Sequence, residues 1–502
     1  MLIHARRGVA AQPPTAAARS TAISEPVRAS MAVPEASPAS ESTGATRRVR
    51  FDALDAVRGL AALAVVGFHA YKDIVKGRPG GSGPGSTIAY SLSWGVPVFF
   101  VLSGFLIYLP FAEAIAARRP MPETARFLWR RAWRILPGYW LALVVFGTLA
   151  HPHTLWTPAG VVRYFLLLQL FDYGTIYHVL GTAWTLSIEM SFYLALPLLA
   201  ATFARLLSGL ERRPAASADR HAPIEARRPR ATSHLAAIAG FAVAGVVLTR
   251  LVVQPLYAAL GQNPQLGYFT VLDAAPMFAG GMALAAVRAH SAELSPWLAR
   301  LPGLLAVAVR RDTTWLVLAL AAYLAALVFE GRNVAPWQPT YLALAAATLL
   351  LVPLVLRPEG RAALFIGRAR PLAALGALSY GLYLWHWPVQ ELLMAHGWGV
   401  PHTWTGYALA LATVLSISLP LAWLTHRLVE RPAIEWSRRR GPFDVLRLAR
   451  QRGPSGVLPV PFAARPATVG WSTGRPGATG AQVHSSSPVA PSTGGSGSRG
   501  SA

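Results

Sequence analysis

Two ionisable side chains, Arg58 and His69, interrupt the first long apolar run of the sequence. They are eleven residues apart, and at about 100° per residue they return to nearly the same helix face, with a rise of about 16 Å. Ionisable groups inside a bilayer are energetically costly and are functional candidates by default, and an imidazole can act as a general base. Snorkelling would explain Arg58 and an interhelical hydrogen bond would explain His69, but neither explains the shared face. We therefore predict that both residues belong to a catalytic site.

The carboxylate of Glu189 follows Trp184 near the start of another apolar run. If that run enters the membrane from outside, Glu189 lies at about the depth of His69. A buried carboxylate requires a partner, and His69 is the nearest visible candidate, although a neighbouring Tyr or Arg would also serve. We predict that Glu189 or Asp55 fixes the tautomer of His69 or stabilises its imidazolium, as the third member of a catalytic triad does.

Four more residues are candidates for binding. Arg131 and Arg134 are one helical turn apart at the start of an apolar run, a spacing that suits a phosphate-bearing ligand, although membrane topology explains about half of this arginine cluster. Tyr383 and His386 lie on neighbouring turns of one face in a late run. His386 is a weaker catalytic candidate than His69.

These candidates lie in a chain of 502 residues that is 53% hydrophobic and 14% charged, about half of the roughly 25% charge of soluble domains. The apolar residues form runs of about twenty, the length of a helix that crosses a bilayer core, so a soluble enzyme is excluded. We predict an all-α integral membrane protein, a bundle of about ten transmembrane helices. The expected crossings are 53–74, 88–112, 135–150, 183–207, 234–255, 268–288, 313–330, 340–357, 372–395 and 405–427. The short piece 159–171 is expected to be interfacial or re-entrant.

The formal net charge of +24 comes mostly from arginines between the apolar runs. The positive-inside rule explains them without nucleic acid, because the arginine-rich loops fall on one side if there are ten crossings. We therefore predict a multi-pass cell-membrane protein in the lipid bilayer, with both termini cytoplasmic. Composition also predicts a disordered tail over 1–50, a membrane domain over 51–436 and a second disordered tail over 437–502.

Several chemistries have no visible residues in this sequence. The chain contains no Cys, which excludes thiol catalysis and Cys-ligated metal. Neither a Walker-type phosphate loop nor a pair of histidines at metal-ligand spacing on one helix is found. We therefore predict no metal and no bound cofactor.

Taken in order, several motifs resemble those of the membrane acyltransferase 3 family, the multi-span bacterial enzymes that O-acylate sugars. The matching elements are LDAVRG at 54–59 with His69, VFFVLSGF at 98–105, Arg131 with Arg134, WTL at 184–186 with Glu189, LSYGLYLWH at 378–386 and ERP at 430–432. Their order and spacing cover about 52–436. The set is specific, whereas any one motif alone is not.

The resemblance implies a ten-span fold, acyl-CoA as the co-substrate that donates the acyl group, and activity that depends on His69. It also implies that Arg58 supports His69 and that Arg131 and Arg134 serve the donor. We assign four residues to the substrate side of the site: Asp55, Trp184, Tyr383 and His386. The expected reaction is O-acyl transfer to a hydroxyl of a carbohydrate or glycosylated acceptor. The alternative is a transporter or flippase whose polar pathway is lined by Arg58, His69 and Glu189.

Overall fold

A computed structural model describes residues 52–76, 84–212, 230–330, 337–401, 403–442 and 444. The predicted tail over 1–50 and most of the predicted tail over 437–502 lie outside these residues. Within the described part the chain is almost entirely helical, as expected for an all-α membrane protein. The only strands there are β1 (Val75–Lys76) and β2 (Val400–Pro401), which pair in parallel.

The helices are α1 (Asp52–His69), α2 (Pro84–Ser91), α3 (Gly95–Ala116), α4 (Thr124–Ala150), α5 (Pro152–Leu155), α6 (Pro158–Phe165), α7 (Trp184–Arg212), α8 (Arg230–Leu248), α9 (Gln254–Ala259), α10 (Ala275–Ala289), α11 (Ser291–Ala299), α12 (Gly303–Arg310), α13 (Asp312–Glu330), α14 (Trp337–Leu356), α15 (Arg361–Gly367), α16 (Arg370–Ala395), α17 (Trp404–Thr425) and α18 (Arg431–Arg439). Short 3₁₀ segments cover Leu92–Trp94, Gln169–Phe171, Gly181–Ala183 and Pro264–Phe269. Single π-helical turns cover Ala70–Ile74, Thr249–Val253 and His426–Glu430.

Helices lie at all ten places where crossings were expected. Among the described residues, eight helical stretches are long and apolar enough to cross a membrane. The other two expected crossings correspond to α10, which has only 15 residues, and α16, whose 26 residues include His, Trp, Tyr and Gln side chains that lower its hydropathy. Length and composition therefore support eight crossings and leave these two helices below that standard.

Two local expectations are corrected or refined by the helix bounds. The run 135–150 was expected to be a short crossing after an arginine-rich loop, but α4 begins at Thr124 and continues through Pro137. A proline inside a helix removes one backbone hydrogen bond, and here the helix continues past it. Because α4 begins at Thr124, the arginines from 126 to 134 lie in this helix and not in a loop. The piece 159–171 overlaps α6, which has 8 residues and is too short to cross.

Helices α1 and α16 run parallel and touch through glycine. A Cβ atom at Gly376 would lie 1.8 Å from the carbonyl oxygen of Asp55, and one at Gly59 would lie 2.4 Å from that of Leu372. Only glycine permits backbones to approach this closely. His69 and His386 each follow the glycine of their own helix by ten positions, about 15 Å along a helix. The contact therefore brings the two histidines to one level.

The core next to this pair is built on α3, α7 and α10. The rings of Phe192 and Phe278 stack at 3.9 Å between centroids, and Gly104 lets α3 approach the backbone of α10 at Phe278. Pro97 lies in the first turn of α3, where its missing N–H would have no intrahelical partner. Large apolar side chains such as Leu198 and Leu251 remain exposed on the outside of the bundle, as expected of surfaces that face lipid.

We expect Gly376→Ala to destabilise the protein by about 1–3 kcal/mol, because the added methyl group forces α1 and α16 apart. The thermal unfolding midpoint of purified protein in detergent should fall. Gly240→Ala is the matched control, since a Cβ atom at Gly240 in α8 meets nothing within 4 Å and alanine favours the helix. Equal midpoints for the two variants would contradict the proposed close contact.

Candidate active site

A cavity of about 350 Å³ lies between α1, α3, α4, α7 and α16, and we name it the arginine cavity. Its polar lining residues are Arg58, Ser103, Arg131, Arg134, Thr185, Glu189, Tyr193, Ser379, Tyr380 and Tyr383. The structure thus brings together all three arginines that the sequence singled out, although they come from two helices. The sequence analysis assigned Arg58 to His69 and only Arg131 and Arg134 to the donor, whereas Arg58 lies in the same cavity as the other two arginines.

The charges in the arginine cavity are not balanced. Three guanidinium groups line it against the single carboxylate of Glu189. Arg58 is 21% exposed and forms a long ion pair of 3.9 Å with Asp55. Arg131 instead lies over the rings of Phe127 and Tyr193, at 5.7 and 5.9 Å. An excess of positive charge in a partly buried site favours a ligand that carries negative charge.

Glu189 is held inside this cavity by two hydroxyl groups. Its Oε1 atom accepts hydrogen bonds from Ser103 Oγ at 2.7 Å and from the Tyr193 hydroxyl. Glu189 is therefore not the partner of His69 that its depth suggested, because its face of α7 points towards α3 and not towards the end of α1. The alternative of a neighbouring tyrosine is the arrangement observed. Ser103, part of the VFFVLSGF motif, thus donates a hydrogen bond to this carboxylate.

A second cavity, of about 660 Å³, contains His69, and we name it the histidine cavity. Aromatic side chains supply much of its lining: Phe68, Trp94, Phe100, Tyr177, Trp184, Tyr268, Tyr383 and Trp387. Its ionisable lining residues are His69, Lys72, Asp273 and Glu330. Positive charge does not dominate here, and a lining of rings with a few polar groups is typical of a site for a small organic ligand.

Among the residues that the structure describes, His69 contacts a second histidine and not a carboxylate. Its Nδ1 atom lies 3.0 Å from the carbonyl oxygen of Val65 and 3.2 Å from Nε2 of His386. His386 is completely buried, and its own Nδ1 atom lies 3.1 Å from the carbonyl oxygen of Leu382. His386 lines neither the arginine cavity nor the histidine cavity. A substrate in these cavities therefore meets His69 directly, whereas His386 lies behind it.

The ring of Trp387 holds His69 from another side. The two rings meet edge to face with centroids 5.3 Å apart. Trp387 Nε1 donates to Glu391 Oε2 at 3.0 Å, and Glu391 Oε1 lies 2.7 Å from Nε2 of His151. The indole of Trp387 is fixed by this chain of contacts and restricts the orientation of His69.

The two cavities adjoin through Tyr383, Val96 and Phe100, which line both of them. The hydroxyl group of Tyr383 forms a hydrogen bond with Thr185 Oγ1 at 2.7 Å and donates a hydrogen bond to the carbonyl oxygen of Thr182 at 3.0 Å. Tyr383 is thus fixed in the wall that the arginine cavity and the histidine cavity share. Its place on the substrate side of the site stays a prediction.

Other lining residues of the histidine cavity have defined partners. Asp273 pairs with Arg250 at 3.1 Å, and Trp184 packs edge to face on Phe269. Burial, with a further contribution from Tyr173, raises the pKa of Tyr177, so its phenol stays protonated. Among the described residues, no group of three or more His, Cys, Asp or Glu side chains is arranged to hold a metal ion.

The fold and its two chambers define a multi-helix membrane protein with a site inside the bundle. A family model described as an acyltransferase domain matches residues 51–425. The match covers most of the chain, so the chain belongs to this acyltransferase family, as the ordered motifs indicated.

Three curated relatives are similar to the chain. Peptidoglycan O-acetyltransferase OatA of Listeria monocytogenes is 23% identical over 399 residues, which are 76% of this chain and 55% of the relative. A protein named as membrane-bound transacylase BcsY, of Komagataeibacter xylinus, is 25% identical over 412 residues, 77% of this chain and 83% of the relative. Exopolysaccharide production protein ExoZ of Rhizobium meliloti is 39% identical over 105 residues, 20% of this chain and 31% of the relative. The alignments thus span about half of OatA and a third of ExoZ. No solved structure matches the chain.

Proposed function

We propose that this protein is a membrane O-acyltransferase that moves an acyl group from acyl-CoA to a hydroxyl of a carbohydrate or glycosylated acceptor. The observation that carries this proposal is the pair of adjoining cavities, one rich in arginine and one rich in aromatic rings, with His69 in the second. Membership of the acyltransferase family supports the reaction class. The donor and the acceptor are proposed from the chemistry of each chamber.

Coenzyme A is the proposed donor carrier because its phosphates match the unbalanced charge of the arginine cavity. Arg131 and Arg134 bind the phosphates, since guanidinium groups form paired, charge-assisted hydrogen bonds with phosphate oxygens. Arg58 adds a third cation to the same chamber, and we assign it to the donor and not to His69. The pantetheine arm then runs between the helices and brings the thioester to the boundary at Tyr383.

A sugar is the proposed acceptor because the histidine cavity combines aromatic rings with a few polar groups. Rings such as Trp94 and Trp184 pack against the C–H faces of a pyranose, and carboxylates such as Asp273 accept hydrogen bonds from its hydroxyl groups. The names of two relatives also point to carbohydrate, one to peptidoglycan and one to exopolysaccharide. The acceptor hydroxyl lies next to His69.

In the proposed reaction His69 takes the proton of the acceptor hydroxyl, and the oxygen attacks the thioester carbonyl carbon. The carbon–sulfur bond breaks as the ester bond forms, and the His69 imidazolium returns the proton to the departing thiolate. A positioned general base contributes about 10²–10⁴-fold to the rate. Glu189 does not reach His69 in this arrangement. We therefore propose that its carboxylate holds Ser103 and Tyr193 in place in the wall of the arginine cavity.

We further propose that the protein lies in the cell membrane with both termini cytoplasmic. The arginine-rich stretches at the ends of the apolar helices support this orientation. The arginine cavity then opens towards the cytoplasm, where acyl-CoA is made, and the histidine cavity lies nearer to the outer face. Acyl groups cross most of the membrane inside the protein.

We expect His69→Ala to abolish acyl transfer while the protein remains folded in detergent. The assay uses purified protein, radiolabelled acetyl-CoA and, as acceptors, soluble muropeptides and a neutral glucan oligosaccharide, with ester product detected by chromatography. Because the chain has no Cys, released CoA can also be measured with a thiol reagent without a background from the protein.

The control for this variant is His396→Ala, since His396 is exposed just after α16 and its Nδ1 atom lies 2.8 Å from the carbonyl oxygen of Leu392 in that helix. It should transfer as the wild type does. Near-normal transfer by His69→Ala would refute the assigned base. Wild-type protein that forms no ester in detergent with any acceptor would instead favour the transporter, which needs a sealed membrane.

Arg131→Ala and Arg134→Ala should weaken CoA binding about tenfold or more each, because each removes a charge-assisted contact with phosphate. CoA should raise the thermal midpoint of the wild-type protein, and the concentration that gives half of this shift reports the affinity. Arg126→Ala, an exposed arginine on the same helix, is the control and should leave the affinity unchanged. Equal losses in all three variants would indicate nonspecific attraction to positive charge.

The orientation can be tested with single cysteines in this cysteine-free chain. Arg126→Cys and His153→Cys place exposed thiols near the two ends of α4, about 40 Å apart for a helix of this length. In intact cells a membrane-impermeant maleimide should label His153→Cys and not Arg126→Cys, and permeabilised cells should label both. The reverse pattern would invert the proposed topology.

A further inference from the structure

We infer that His386 is the positioning residue for His69: it accepts a hydrogen bond from Nδ1–H of His69 and so leaves Nε2 of His69 as the free base. This inference rests on the proposed function and deepens it, because it names the residue that completes the base. It replaces both the substrate-binding role expected for His386 and the orienting role expected for Glu189 or Asp55.

The protonation of His386 follows from its contact with its own helix. Its Nδ1 atom lies 3.1 Å from the carbonyl oxygen of Leu382. A carbonyl can only accept, so Nδ1 of His386 carries the hydrogen. In a neutral imidazole the other nitrogen is then an acceptor. Nε2 of His386 therefore presents a lone pair towards His69.

The same argument applied to His69 gives a consistent result. Its Nδ1 atom lies 3.0 Å from the carbonyl oxygen of Val65 and 3.2 Å from Nε2 of His386. Both neighbours are acceptors, so Nδ1 of His69 carries a hydrogen that they share. Nε2 of a neutral His69 is then unprotonated. This is the nitrogen that a general base requires.

Burial makes His386 suited to this role. It is 0% exposed and lines neither cavity, so no substrate in these chambers competes for its lone pair. A carboxylate in the same place would carry a charge that is costly to bury without a partner. The imidazole of His386 orients His69 and itself remains neutral.

The surrounding helices hold the pair in place. The parallel contact of α1 and α16 at Gly59 and Gly376 sets the two histidines at one level. The indole of Trp387 packs against His69 at 5.3 Å, and the neighbouring Trp385 donates from Nε1 to Thr425 Oγ1 at 2.8 Å. The second contact ties the His386 turn of α16 to α17. These contacts leave the His69 ring little freedom to turn Nδ1 towards the substrate in place of Nε2.

The histidine pair takes part in the acyl transfer, and the bonds and protons of the overall reaction still balance. Nε2 of His69 receives the acceptor proton, the ester bond forms, the carbon–sulfur bond breaks, and the proton passes to the CoA thiolate. Throughout these steps Nδ1–H of His69 stays bonded to Nε2 of His386. His386 thus stabilises the imidazolium by hydrogen bonding, without itself touching substrate.

Two polar substitutions separate this role from simple packing. His386→Gln places an amide oxygen close to the position of Nε2 and keeps the acceptor for His69. His386→Asn places its polar atoms close to the position of Nδ1, keeps the link to Leu382 and loses that acceptor. We expect kcat of His386→Asn to fall about 100-fold with little change in KM for acetyl-CoA, and His386→Gln to remain within about tenfold of wild type.

A second measurement does not depend on activity. Nitrogen-15 NMR of protein labelled at histidine distinguishes the two neutral tautomers, and the signals of His69 and His386 are assigned with His69→Ala and His386→Asn. We expect the wild-type His69 to be protonated at Nδ1. In His386→Asn this signal should shift or exchange between tautomers, whereas in His386→Gln it should persist.

These outcomes separate the inference from the function. Active wild-type protein with both His386 variants equally fast, or equally slow while folded, would overturn the inference and leave the transferase standing. So would a wild-type His69 protonated at Nε2. If the wild type transfers no acyl group but shows His69 protonated at Nδ1 and sensitive to His386→Asn, the positioning holds and the proposed reaction fails.

Discussion

The close contact between α1 and α16 is the constraint on which the rest of the site depends. Gly59 and Gly376 allow two parallel backbones to touch, and a helix is rigid enough to carry that alignment over ten further residues to His69 and His386. Beyond the two histidines, the segments that follow α1 and α16 pair again in parallel at Val75 and Val400. A side chain larger than hydrogen at the crossing would displace the groups that meet at its far end.

A second principle of the molecule is the separation of charge along the bundle. One chamber gathers three guanidinium groups around a single carboxylate, and the other gathers rings around mixed polar groups. In the proposed function, a polyanionic carrier and a neutral sugar would occupy distinct cavities, so neither would need to displace the other. Their reactive ends would then meet at the shared wall that contains Tyr383.

Sequence reasoning identified the helices and the family, because long apolar runs and ordered motifs are direct signals. It placed Arg58, Arg131 and Arg134 as candidates, and the structure brings them into one cavity. It failed on the partner of His69, because spacing within a helix gives the depth of a residue but does not show which residue of another helix packs against it. Glu189 has the expected depth but faces α3, and its donor Ser103 carries no signal of its own in sequence. His386 became visible as a partner only when α1 and α16 were packed together.

The histidine pair also has a consequence for biosynthesis. Its two members are separated by 317 positions in the chain, with the first on the opening helix and the second on α16. During translation the ribosome must deliver nearly every described helix to the membrane before the base has its support. An incomplete nascent chain therefore lacks the paired imidazoles, so the proposed activity would arise only when the bundle is almost fully inserted.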